Sequence, residues 1–204
     1  MTLHEETFVG GAPALDAVVD VVKRRRTNLL MDRERGVDDA LVEKLLELIT
    51  WAPNHKRTWP WQVAVFTGAS RESLGEACAA DLLAGAGANA VVDEAKVAKT
   101  RSKYTRSPVV VAVGQIGFSG NDDAHRVAED RDAVAAGIQN FLLGATAAGL
   151  ASYWGSAAYP TGPALLDCCG FAPTSRVNAL IYLGWPGSHP EPPVRPALAI
   201  TWHR

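Results

Sequence analysis

From residue 133 to residue 166 the chain carries no charged residue. Such a run suits few environments: a membrane, the centre of a globule, or a contact between subunits. Its own composition argues against the membrane. Gln139, Asn140, Ser152, Ser156, Pro160 and recurring glycines interrupt it. It therefore never supplies the roughly 18–20 unbroken apolar residues that a span needs. Its first part completes a long helix expected over 125–148. A helix apolar nearly all round, rich in Ala and Gly, belongs in a core or an interface.

The second constraint is Trp51-Ala52-Pro53-Asn54-His55-Lys56-Arg57-Thr58-Trp59-Pro60-Trp61. A helical pattern enters it, with Asp38 as cap and Leu41, Leu45, Leu48 and Ile49 on the buried face. A β-rich run, 62–66, leaves it. Pro53 ends the helix, and Pro60 precedes the strand. Between them lies a short, stiff loop of aromatic and cationic groups, a good platform for a ligand. The plainer reading is that its tryptophans fill core.

Around these two stretches the remaining elements fall into place. Leu15, Val18, Val19 and Val22 at helical spacing predict a first helix from Pro13, closing on Lys23-Arg24-Arg25-Arg26-Thr27-Asn28. Cations favour a helix C-terminus, but three consecutive arginines exceed what a cap needs. Ser70 is placed to cap a third helix, and a more polar fourth is expected over 91–104. Residues 109–113 and 177–183 read as buried strands, and 149–156 as a glycine-punctuated extended segment. A turn is expected over 119–122. A short helix opens at Thr161-Gly162-Pro163. The chain closes with a stiff proline-rich arm, 190–196, and a β-prone tail, 197–202, able to join a neighbour's sheet edge.

The length suits a loose arm, 1–12, followed by one domain, 13–204. A net charge of −2 gives no electrostatic case for nucleic acid. Cys78 and the adjacent Cys168-Cys169 form neither a disulfide framework nor a zinc spacing, so the chain reads as cytoplasmic with reduced thiols. The N-terminus has no apolar stretch of the signal-peptide kind. No phosphate-binding glycine loop, nucleophile elbow or metal motif is present. The histidines are scattered, so no metal is expected. No nucleophile–base pair is visible either. Cations, stacking aromatics and small residues instead suit an anionic, planar cofactor that carries the chemistry itself.

At this point the motifs resemble a family. Arg25-Arg26-Thr27 resembles the Arg-Arg-Ser entry motif of the FMN-dependent nitroreductases. Residues 52–61 resemble that family's Ala-Pro…Pro-Trp loop, in the form carried by its compact YdjA-like subgroup. Gly149-Leu150 through Trp154-Gly155-Ser156 resembles the later glycine-rich strand, and Leu183-Gly184-Trp185-Pro186 the Leu-Gly-x-Pro close. The order and spacing match over nearly the whole chain from about residue 14.

The resemblance implies an α+β fold in three layers, a small mixed sheet flanked by helices, in an intertwined homodimer with a swapped C-terminal strand. It implies two FMN sites at the dimer interface. It also implies hydride transfer from NAD(P)H through flavin N5 to a nitroaromatic, quinone or related conjugated acceptor. No side chain is expected to be catalytic. Carried over position by position, Arg25 and Arg26 would meet the FMN phosphate and the pyrimidine edge, with Thr27 in the family serine's place. Trp51, Pro53, Asn54, His55 and Arg57 would line the ring or ribityl chain from the other subunit. Trp154, Gly155 and Ser156 would approach the ring near N5, and Arg195 is a further phosphate candidate. Arg57, Trp59 and Gly155 depart from the asparagine, glutamine and arginine of many relatives. A protein of this fold that stores flavin without useful turnover is the alternative.

Overall fold

The computed structural model describes residues 12–86, 93–117 and 123–204. In chain order its elements are α1 (Ala12–Arg24), α2 (Asp39–Glu47), β1 (Trp61–Thr67), α3 (Ser70–Gly85), α4 (Glu94–Ser102), β2 (Val109–Gln115), α5 (Ala124–Ala147), β3 (Ala151–Gly155), α6 (Pro163–Cys168) and β4 (Arg176–Gly184). The expected turn at 119–122 and the arm before residue 12 lie outside the described residues.

Strand β2 is buried along its whole length, as an unbroken Val-rich run predicts. It and β4 form the inside of a four-stranded sheet ordered β1-β2-β4-β3. The sheet differs from expectation in one detail. Every strand pairing is antiparallel, not mixed. The parallel contact is confined to an isolated bridge between Thr27 and Ser152.

Side chains alternate across the sheet, so each strand feeds two cores. Val109, Val111, Val113, Ala179, Ile181 and Leu183 pack against α2 and α5. Val110, Ala112, Leu180 and Tyr182 pack against α3 and α6. The result is the expected three layers.

The caps explain several boundaries. Asp38 accepts from the Ala40 amide at 2.8 Å and starts α2. Asp93 and Asp123 do the same for α4 and α5. Ser70 does not cap α3. Its hydroxyl accepts from the Thr67 amide and donates to the Thr67 carbonyl, closing the β1–α3 turn, and Ala69 occupies the cap position. Helix α2 tightens into a 3-10 turn, Leu48–Trp51, and stops at Ala52 before Pro53, as expected.

Helix α5 is less uniformly enclosed than its composition suggests. Asp130, Ala133, Val134, Gly137, Ile138, Phe141, Leu142 and Ala145 are buried. Its other flank, with Leu143, Gly144 and Ala147, faces α1 across an apolar groove. Helix α1 buries no residue at all. Beyond Ser188 the arm is exposed, and it pairs with no strand among the described residues. Among the described residues no helix is long and apolar enough to cross a membrane.

Candidate functional site

The end of α1 is stitched to two distant segments. The Asn28 amide donates to the Ser152 carbonyl at 3.0 Å, and Thr27 bridges the same residue of β3. Asn28 is buried, and its side-chain amide donates to the Ser188 carbonyl at 2.8 Å. The Gly187 amide donates to the Leu30 carbonyl at 2.7 Å. Residues 27–31 are thereby fixed between β3 and the start of the C-terminal arm. That arrangement returns the arm past α1, and it brings Arg195 to Arg25.

The cations meet in a cavity of about 570 Å³ lined by Lys23, Arg25, Arg26, Gln139 and Arg195, with apolar walls from Val22, Pro192 and Pro193. Among the described residues no carboxylate lines it. Burial, then the charges of Arg195 and Arg26, lower the pKa of the Arg25 guanidinium. Unrelieved like charge of this kind favours an anion. Arg26 behaves partly as the helix-capping reading expects. One terminal nitrogen donates to the carbonyls of Lys23 and of Arg25, the latter at 2.8 Å. Its Nε is buried without a partner. Arg24 points away and pairs with Asp20 at 2.6 Å on the exposed face. Of the three arginines, Arg25 is therefore the one aimed at the cavity with its donors uncommitted.

Strand β3 presents the rest of the set. Trp154 is 39% exposed, Gly155 is buried and Ser156 is exposed. A Cβ at Gly155 would come within 3.2 Å of Tyr153, Tyr182 and the Leu180 carbonyl. A larger residue there would need its neighbours to move.

The loop after α2 is organised by its own polar side chains. Lys56, Arg57 and Trp59 all have φ between 50° and 57°, in the left-handed region that non-glycine residues rarely adopt. Such strain costs of order 1–3 kcal/mol per residue and persists only where surroundings impose it. Here Asn54 imposes it. Its carbonyl accepts from the Trp59 amide at 2.9 Å, and its amide donates to Thr58 at the same distance. Thr58 in turn donates to Asp130, which is buried on α5. His55 lies 2.9 Å from Glu129 through Nδ1. Asn54 and His55 thus act first as anchors of the loop to α5. Asp130 and Glu129 are contributors that sequence reasoning missed. Asp130 sits three and four residues before Ala133 and Val134 on the buried face of α5, and that spacing was the available signal.

Within one chain the predicted residues fall into three sets, the third being Trp154, Gly155 and Ser156 on and just after β3, where Gly155 and Ser156 line a pocket of their own. Arg25, Arg26 and Arg195 share a cavity, and Thr27 ties them to β3. Pro53, Asn54, His55 and Arg57 line no cavity with them. Trp51, 75% exposed, lines the α1–α5 groove instead, a groove that shares Val22 with the cation cavity.

The sequence model of the nitroreductase family matches residues 22–185. YdjA of Escherichia coli (strain K12), provisionally named as an NAD(P)H nitroreductase, is 24% identical over 174 residues, covering 84% of this chain and 89% of that protein. A nitroreductase-like family protein from Bacillus cereus superposes with a TM-score of 0.75 at 24% identity, over 90% of this chain and 95% of its own. A nitroreductase with bound FMN from Bacteroides fragilis NCTC 9343 superposes with a TM-score of 0.70 at 22% identity, over 92% and 98%. At these identities the superpositions establish the shared fold.

Proposed function

The chain belongs to the nitroreductase family, and on that premise we propose that it is an FMN-dependent oxidoreductase that takes reducing equivalents from NADH or NADPH. Its acceptor is a nitroaromatic, a quinone or a related conjugated molecule. The observation that carries this reading is the cavity where Arg25, Arg26 and Arg195 meet with no carboxylate among the described residues that line it. Its donor set fits a phosphate. A dianion relieves the repulsion around Arg25 and accepts charge-assisted hydrogen bonds, roughly twice as strong as neutral ones. The bound FMN of the Bacteroides fragilis protein supports the same choice of cofactor.

When bound, FMN supplies the hydride chemistry at its ring. The chain's residues bind and orient. Arg25 and Arg195 hold the phosphate. Arg26 braces the end of α1 through the Lys23 and Arg25 carbonyls. Thr27, joined to β3 at Ser152, sets the distance from the cations to Trp154, Gly155 and Ser156.

We read residues 13–204 as one domain that completes its site as a homodimer, in the cytoplasm. Two unpartnered apolar surfaces support the dimer. Leu15, Val18 and Val22 of α1 are exposed beside a groove of about 400 Å³ with Leu48, Trp51 and Leu143 in its lining. In the tail, Leu198, Ile200 and Trp202 are exposed at every second residue, the pattern of a strand seeking a sheet edge. Trp51, Pro53, Asn54, His55 and Arg57 then face the cofactor of the partner subunit.

The test is FMN binding by the purified protein, followed by absorbance and flavin fluorescence, together with its mass in solution. One FMN per chain on a dimer is expected. A monomer that retains flavin would overturn the two-subunit site, and no FMN uptake at all would overturn the reading.

A further inference from the structure

A second cationic pocket lies beside Gly155 and Ser156, on the α3–α6 side of the sheet. It is small, about 130 Å³, and Lys103, Arg106, Tyr153 and Tyr182 contribute to its lining. Lys103 and Arg106 are the two ends of the 3-10 turn Lys103–Arg106 that follows α4. They are half-buried, and among the described residues no carboxylate lines the pocket. Among the described residues, the ion pairs go to Arg24, His55, Arg101 and His125, never to these two. Lys103 lies 4.9 Å over the Tyr104 ring. Burial lowers the pKa of its ammonium, and Arg106 and Lys99 add repulsion that the nearby Cys78 opposes. Tyr104 spends its hydroxyl on Cys78 Sγ at 3.1 Å. Tyr182, stacked on Tyr104 and edge-on to Tyr153, is raised well above its usual range by burial, so its hydroxyl keeps its proton and can donate.

Two half-buried cations without a counter-ion are costly, and an anion offsets that cost. The volume is enough for one carboxylate or phosphate group and a few waters, each water's share being about 30 Å³. Two of the residues that line it, Gly155 and Ser156, also belong to the set assigned above to the flavin ring.

We propose that the Lys103–Arg106 pocket is an anion subsite that seats the carboxylate or phosphate of a substrate whose conjugated part lies over Gly155 and Ser156. This rests on the flavin reading for the position of the reacting part, but not for the anion site itself. The acceptor, as an aromatic acid, and the reductant, through a dinucleotide phosphate, are the two sources of that group.

The experiment compares wild type, the double variant Lys103→Gln/Arg106→Gln, and the surface control Arg101→Gln. Benzoate and inorganic phosphate are first titrated against each protein in an Arg25→Ala background, which disables the larger cation cavity, and followed by thermal shift. At least one should stabilise the wild type and the control, and the double variant should lose about tenfold or more in apparent affinity. No stabilisation of the wild type, or equal stabilisation of the double variant, overturns the subsite whether or not flavin is present. On flavin-loaded protein, KM is then measured for para-nitrobenzoate against para-nitrobenzamide, and for NADPH against NADH. A selective rise for para-nitrobenzoate places the acceptor's carboxylate in the pocket, and a selective rise for NADPH places the extra phosphate there. Loss of FMN retention in the double variant would assign these cations to the cofactor and overturn the proposal. Failure of the wild type to take up FMN would overturn the flavin reading alone, because the titrations still decide the anion site.

Discussion

Arg25 and Arg26 are adjacent and alike in sequence, yet they do different work. Arg26 turns back onto the carbonyls that end α1, while Arg25 faces Arg195 across the cavity. Arg25→Ala should therefore weaken FMN binding by about 1.5–3 kcal/mol, the value of a lost charge-assisted bond. Arg24→Ala, which removes an exposed pair with Asp20, should leave it unchanged. Equal affinity in wild type and Arg25→Ala, measured by fluorescence titration, would move the phosphate elsewhere. The same scale holds a pH prediction. The hydrogen bond from His55, with added charge from His55, His125 and Lys56, holds the Glu129 carboxyl below its ordinary range, against the opposing effect of desolvation. A depressed folded-state pKa gives stability that is present above the unfolded value, near 4.5, and lost as the pH falls through the folded one. Glu129→Gln should lower stability above about pH 4.5, and the difference from wild type should vanish in stronger acid. Denaturation curves across that range give the answer, and a difference that persists or grows in acid would contradict it. Neither the division of labour between the arginines nor the partners of Asp130 could be read from spacing, although spacing does put Asp130 on the buried face of α5. Both depend on partners 70 or more residues away, such as Asp130 under Asn54 and Thr58.

Elements were far more legible than contacts. Asp38, Pro53, Pro60 and Gly170 punctuate the chain where local chemistry says they must, and the boundaries of α2, β1 and α6 follow. Strand direction was not legible, because it is set by which strands the tertiary fold brings side by side; a periodicity of two is the same either way. Ser70 misled for a related reason: a hydroxyl at a helix start serves a turn as readily as a cap. One packing feature is open to direct test. A Cβ at Gly75 of α3 would lie 2.0 Å from the Arg101 carbonyl oxygen of α4, a backbone atom with little freedom to yield. Alanine is the better helix former by about 1 kcal/mol. Gly75→Ala should nevertheless destabilise by about 1–3 kcal/mol, because it forces α3 and α4 apart. A lower urea midpoint at unchanged slope is the expected readout. A variant as stable as wild type would show that the two helices slide freely, and with them the turn that carries Lys103 and Arg106.

For the whole molecule, the uncharged part of α5 lies between two contacts. One flank of α5 covers the sheet, and the other forms the open groove against α1. That groove and the exposed tail are the surfaces on which the proposed homodimer rests. Replacing Leu198 and Ile200 by Asp keeps Arg195 but places charge on the strand pattern. The double variant should dissociate at micromolar concentration and lose flavin with it; a dimer of undiminished mass would exclude the tail from the interface. The central claim, that these residues assemble a working flavin site, is tested most directly by adding NADH or NADPH to the FMN-loaded protein without oxygen and following the yellow absorbance of the oxidised cofactor. At least one nucleotide should bleach it, and a nitroaromatic or quinone should restore it. Bound flavin that neither nucleotide reduces would contradict the account and leave a protein that only stores its cofactor.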